Sequence, residues 1–87
     1  MPYQVRFKPA AERAIRKMEK SARRRIFERA EALADDPRPK EAKKLRGADD
    51  LWRIRVGELR IIYAIEDEIL LVLVVKAGHR RDIYRDV

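Results

Sequence analysis

The chain has 87 residues, with 22 Lys and Arg against 15 Asp and Glu, a net charge of +7 and a pI near 10.1. That length suits one small domain over residues 1–87, and the absence of cysteine beside a single histidine argues against a disulfide framework, a thiolate site or an all-protein zinc cage, so no metal or other cofactor is expected. The longest apolar run, Ile69 to Val75, is too short to cross a bilayer and MPYQVRFK has no apolar signal core, so a soluble cytoplasmic protein with a polyanionic partner and no membrane is expected.

Tyr3 to Phe7 alternates polar and apolar side chains, which predicts a half-buried first strand. Pro9 suits the first turn of a helix, in which Ala11, Ala14, Ile15 and Met18 fall at i, i+3, i+4 and i+7 and make one apolar stripe ending near Glu19 or Lys20. Ser21 is the expected N-cap of a second helix with Ala22, Ile26, Phe27, Ala30, Leu33 and Ala34 on its apolar stripe. The prolines of Asp35-Asp36-Pro37-Arg38-Pro39 stop that helix, because each removes a backbone donor and disfavours helix in the residue before it. A basic connector, Lys40 to Asp50, follows. Its bland reading is a solvated loop, and its functional reading makes Lys43, Lys44 and Arg46 RNA-binding side chains.

From Leu51 the period becomes two, and three strands are predicted over 51–56, 59–65 and 69–76, with a second short turn at Glu66-Asp67 or Asp67-Glu68. The expected fold is α+β: an N-terminal strand, a helical hairpin and a three-stranded antiparallel meander, with two helices packed on one face of a four-stranded sheet. Gly57 is expected as the first central residue of a type II′ turn. A turn there pairs Val56 with Leu59, Arg55 with Arg60, Ile54 with Ile61, Arg53 with Ile62 and Trp52 with Tyr63. Alternation then places Trp52, Ile54, Val56, Leu59, Ile61, Tyr63 and Ile65 on a core face, with Arg53, Arg55 and Arg60 on the other. Like charges directly opposite each other cost stability unless an anion lies between them, and no acidic residue occupies that part of either strand. Arginines splayed into solvent are the plain alternative. Three guanidinium groups so close together suit bidentate phosphate contacts.

The tail His79-Arg80-Arg81-Asp82-Ile83-Tyr84-Arg85 adds Arg80 and Tyr84, which share a face if the segment makes one helical turn, and His79, whose ordinary pKa suits proton transfer near neutrality. The ordered set YQVRF, two amphipathic helices, DDPRP, KLRG, LWRIRVGELRIIYAI and HRRDIY resembles the RelE/ParE toxin superfamily of toxin–antitoxin systems over nearly the whole chain, and the RelE branch in particular. That resemblance implies a type II toxin that cleaves mRNA in the ribosomal A site without metal, by attack of a ribose 2′-OH on the adjacent phosphate. It carries Arg53, Arg55 and Arg60 onto the family's hairpin cations, and Arg80 and Tyr84 onto its C-terminal pair.

In this reading Arg60 and Arg80 clamp the scissile phosphate, Arg53 and Arg55 hold the backbone with Arg81, Tyr84 orients a base or the 2′-OH, and His79 carries a proton. Arg53 and Arg55 stand where well-studied members carry lysine, and arginine cannot act as a base near neutrality. The implied partners are a RelB-like antitoxin, in a toxin–antitoxin heterotetramer, together with ribosome and mRNA. Two alternatives share the fold: a ParE-like non-enzymatic inhibitor of DNA gyrase, and an inactive basic module that binds only an antitoxin.

Overall fold

In the computed structural model, which describes residues 2–47 and 50–79, the elements run β1 (Gln4–Phe7), α1 (Pro9–Arg16), α2 (Lys20–Ala32), β2 (Lys43–Lys44), β3 (Leu51–Val56), β4 (Leu59–Glu66), a 3-10 turn (Asp67–Ile69) and β5 (Leu71–His79). The α+β class and the two-helix layer are as expected. The sheet differs from expectation in two ways: it has five strands, ordered β1-β5-β4-β3-β2, and it is mixed, because β1 lies parallel to β5. The extra strand is the two-residue Lys43–Lys44, which adds to the outer edge of β3.

The hairpin forms in the predicted register, with Val56 opposite Leu59, Arg55 opposite Arg60 and Trp52 opposite Tyr63. Gly57 has φ +64, while Glu58 stays on the ordinary side, as a type II′ turn requires. A side chain at position 57 would also collide with Arg25, whose Nη2 lies 2.1 Å from where a Cβ would sit. The second turn is longer than expected. Asp67–Ile69 coils into a 3-10 turn and Leu70 takes a left-handed φ of 51, so β5 starts at Leu71 rather than Ile69 and runs on to His79 opposite Leu59.

The helix boundaries also shift. α1 ends at Arg16, with the Lys17 and Met18 amides closing on Ala14 and Ile15 carbonyls. Glu19, extended at φ −56 and ψ 154, is the N-cap of α2, so Ser21 lies inside the first turn and is not the cap. Both apolar stripes face the sheet: Ala11, Ile15, Ile26, Ala30 and Leu33 pack on Ile54, Leu59, Ile61, Tyr63, Ile65, Val72, Val74 and Ala77. Phe27 is the exception on its stripe, 40% exposed, and meets the ring of Phe7 edge-on at 5.4 Å.

Polar contacts close the end of this core where the prolines lie. The buried Tyr63 hydroxyl donates to the Pro37 carbonyl at 2.8 Å, and burial pushes its pKa up to about 12. Arg38 lies 5.5 Å from the centre of the Trp52 ring and grips Asp67 with two bonds of 2.8 and 3.1 Å, while the Tyr3 hydroxyl donates to Asp67 at 2.6 Å. Arg38 first, then Tyr3, hold the Asp67 carboxyl down at about 2. Tyr63→Phe strands a buried carbonyl and is expected to lower the urea midpoint by the equivalent of about 1–3 kcal/mol without changing the slope.

Asp67 is more acidic folded than unfolded, so its stabilisation is full above its ordinary value of 3.8 and fades as pH falls toward 2. Asp67→Asn is expected to lower the melting temperature at pH 7 and to flatten its fall between pH 4 and 2, as followed by circular dichroism.

Candidate nucleic-acid interface

β4 divides its side chains between two surfaces. Leu59, Ile61, Tyr63 and Ile65 face the helices, while Arg60 and Ile62 face the opposite side and are buried there, at 5% and 0% exposure. Cross-strand pairing extends these positions into rows. Lys43, Arg53, Ile62 and Lys76 form one row across β2, β3, β4 and β5, and Arg55, Arg60 and Gly78 form the next. Arg53 is half-buried and Arg55 is exposed.

A β-bulge makes the first row possible. Ile62 pairs with Lys76 but Tyr63 pairs with Val74, so Val75 is the extra residue on β5. Strict alternation from Val72 and Val74 would have sent Lys76 toward the helices; the bulge changes the phase and brings it beside Ile62, while Ala77 enters the core. Lys76 is the residue that sequence reasoning missed. No local signal pointed to it, since strict alternation along β5 assigns Lys76 to the other face.

The structure sorts the other predicted residues unevenly. Lys43 joins Arg53 in its row, whereas Lys44 pairs with Trp52 and so lies on the helix side, and Arg46 occupies a turn beyond β2. His79 pairs with Leu59 and lines a groove with Lys17, Met18, Ala22 and Arg25, so it faces away from Arg53, Arg55 and Arg60 and is not brought to them. Register decides this, because His79 is an even number of pairs from the core residue Ala77. Arg80, Arg81 and Tyr84 lie outside the described residues.

Arg60 is electrostatically incomplete. Among the described residues its Nη1 reaches only the Gly57 and Leu59 carbonyls, at 3.5 and 3.3 Å, and its buried Nε has no partner. Both bonds are long. Among the described residues no carboxylate pairs with Arg53, Arg55 or Arg60. A buried guanidinium costs free energy until an anion meets it, and its fork matches a phosphate with two oxygens. Chemically, these rows can hold a phosphodiester and stabilise added negative charge on it. The arginines cannot release a proton to it or take one from it.

A family model described as the ParE toxin of the type II toxin–antitoxin system parDE matches residues 5–84. The chain belongs to the RelE/ParE toxin family. Toxin RelG of Mycobacterium tuberculosis is 33% identical over 86 residues, covering 98% of this chain and 99% of that protein. Among solved structures, the toxin–antitoxin complex RelBE2 of M. tuberculosis superposes with a TM-score of 0.83 at 31% identity, over 94% of this chain and 95% of that one. The archaeal RelE–RelB complex of Pyrococcus horikoshii gives 0.80 at 29% identity, over 94% and 99%. The family model carries the ParE description, while these relatives carry RelE names; this RelE-like toxin therefore has the RelE fold over almost its full length.

In this RelE-like toxin Arg60 is a charge held at the expense of stability. Replacing it by methionine, Arg60→Met, is expected to raise the denaturation midpoint by the equivalent of about 1–4 kcal/mol, measured by urea titration.

Proposed function

We propose that this RelE-type toxin is an endoribonuclease that cleaves mRNA in the ribosomal A site. The observation that carries the reading is the buried, carboxylate-free Arg60 set among Arg53, Arg55, Lys43 and Lys76. The RelE names of its relatives support the same branch. In the reaction the ribose 2′-oxygen forms a bond to the adjacent phosphorus, its proton is removed, the bond from phosphorus to the 5′-oxygen breaks, and that oxygen gains a proton. The products are a 2′,3′-cyclic phosphate and a free 5′-hydroxyl.

Arg60 and Arg55 hold the phosphate and stabilise the charge that builds on it, a preorganised electrostatic role. Arg53 and Lys43 hold the flanking backbone. Arg80 and Tyr84, carried over from the family pattern, complete the clamp and orient the nucleotide. Because arginine cannot serve as base, we assign proton removal to Lys76, the lysine of the Arg53 row that stands on β5 directly beside β4 and its Arg60, whereas Lys43 lies on the far edge strand. His79, on the other face, is given no part.

The two solved relatives described above are toxin–antitoxin complexes, and a RelB-like antitoxin with an acidic binding segment suits the charge of +7. The ParE description favours a second reading, inhibition of DNA gyrase without cleavage. Mapping transcript 5′ ends on programmed ribosomes separates the two. Cuts in the A site are expected, slowed about 10²–10³-fold by Arg60→Ala and slowed as well by Lys76→Arg, which keeps the charge but cannot take a proton. Intact transcripts beside lost supercoiling would overturn the nuclease reading.

A further inference from the structure

The elbow between α1 and α2 carries a charge pattern that packing does not require. Residues 13 to 25 contain seven lysines and arginines against one glutamate. Arg16 is taken by Glu12 at 2.5 Å and Arg25 donates to the Val56 carbonyl at 3.3 Å. Arg13, Lys17, Lys20, Arg23 and Arg24 have no carboxylate partner among the described residues, and all but the half-buried Arg23 are exposed.

Arg13 and Lys17 suit the negative end of α1, but the placement of the other three is adverse to α2. α2 has no acidic residue in its first turn, and its N-cap Glu19 makes no side-chain capping bond. Lys20 and Arg23 therefore sit in the first turn, at the positive end of the helix dipole where a cation is unfavourable, with Arg24 just beyond them, while Glu28 and Glu31 lie toward the negative end. The reversed order would be more stable. A local rule broken repeatedly in one place marks a surface with a use.

The surroundings narrow the partner. An acidic peptide docks through apolar anchors beside its charges, and a single strand docks by stacking bases on aromatic rings. Between Arg13 and Arg25 there is no aromatic residue and no exposed large apolar side chain, and the neighbouring Phe27, 40% exposed one turn beyond Arg23, has its ring set edge-on against Phe7. A phosphate backbone held in a duplex needs neither, since it is recognised by charge and shape. The helices lie on the opposite face of the sheet from the Arg53 and Arg55 rows, so one bound anion cannot touch both sites.

We infer that the α1–α2 elbow is a second nucleic-acid contact, which grips the phosphate backbone of a duplex, as in structured RNA, through Arg13, Lys17, Lys20, Arg23 and Arg24. It concerns docking and stands or falls separately from cleavage at the sheet face. The test is anisotropy titration of the full chain against labelled duplexes of about 16 base pairs, one RNA and one DNA, at several salt concentrations.

The double reversal Lys20→Glu and Arg24→Glu is expected to weaken RNA-duplex binding at least about tenfold and to reduce the salt slope of log K by about 2. Its melting temperature should stay level or rise, because glutamate suits a first turn. In a background of Arg55→Ala with Arg60→Ala, the elbow reversal should still weaken duplex binding by about the same factor. An unchanged affinity and slope in the elbow variant overturns the inference. So does loss of binding to a polyglutamate peptide with the duplex affinity intact, or a duplex affinity that the elbow reversal no longer lowers in that background. DNA bound as tightly as RNA supports the backbone contact and makes it indifferent to the sugar.

Discussion

The two-residue turn at Gly57 and Glu58 is the constraint on which the rest of this molecule depends. Its φ of +64 closes β3 on β4 in one register, and a shift of one residue would exchange every side chain of the hairpin between the core and the basic face. Arg25 reinforces that choice from α2. Its exposed guanidinium lies over position 57 and donates a long bond of 3.3 Å to the Val56 carbonyl, adding a contact between α2 and the turn to the apolar packing of the helices. The apolar core, the cationic rows and the position of α2 are therefore set by the same few atoms.

Much of this was legible because period and turn chemistry agree over residues 51 to 65. The hairpin register, both helices, the apolar stripes and the separation of Arg53, Arg55 and Arg60 from the core follow from local rules alone. What escaped depends on partners far along the chain. Lys76 reaches the basic face through a bulge that shows only once β5 is laid against β4, and His79 leaves it for the same reason. The parallel pairing of β1 with β5 and the two-residue β2 carry no periodicity to read. Leu70 breaks the expected strand by adopting a left-handed conformation that a leucine gives no warning of. The near-complete burial of Arg60 was equally hidden, since alternation assigns a face and not an exposure.

The two polar features of the sheet contrast in how they treat charge. At the proline end, Asp67 is met by a bidentate guanidinium and a phenol, so its charge has its counterpart. At the opposite face, Arg60 has only distant carbonyls of its own turn. The first arrangement holds β1, the Arg38 loop and the 3-10 turn together; the second leaves free energy to be released by an incoming anion. A small domain with a modest core tolerates the second because the first, with the Tyr63 bond to Pro37, secures the end of the core.

The parallel pairing of β1 with β5 also bears on how the chain is made. The first strand to leave the ribosome has its neighbour in the last strand of the sheet, so the earliest segment must wait for the latest before its backbone is satisfied. β4 is likewise left with one open edge until then, and Lys76 arrives with β5. A nascent chain that stops short of β5 has neither a closed sheet nor a complete cationic row. Synthesis itself thus delays assembly of this surface until nearly all of the sheet has been translated.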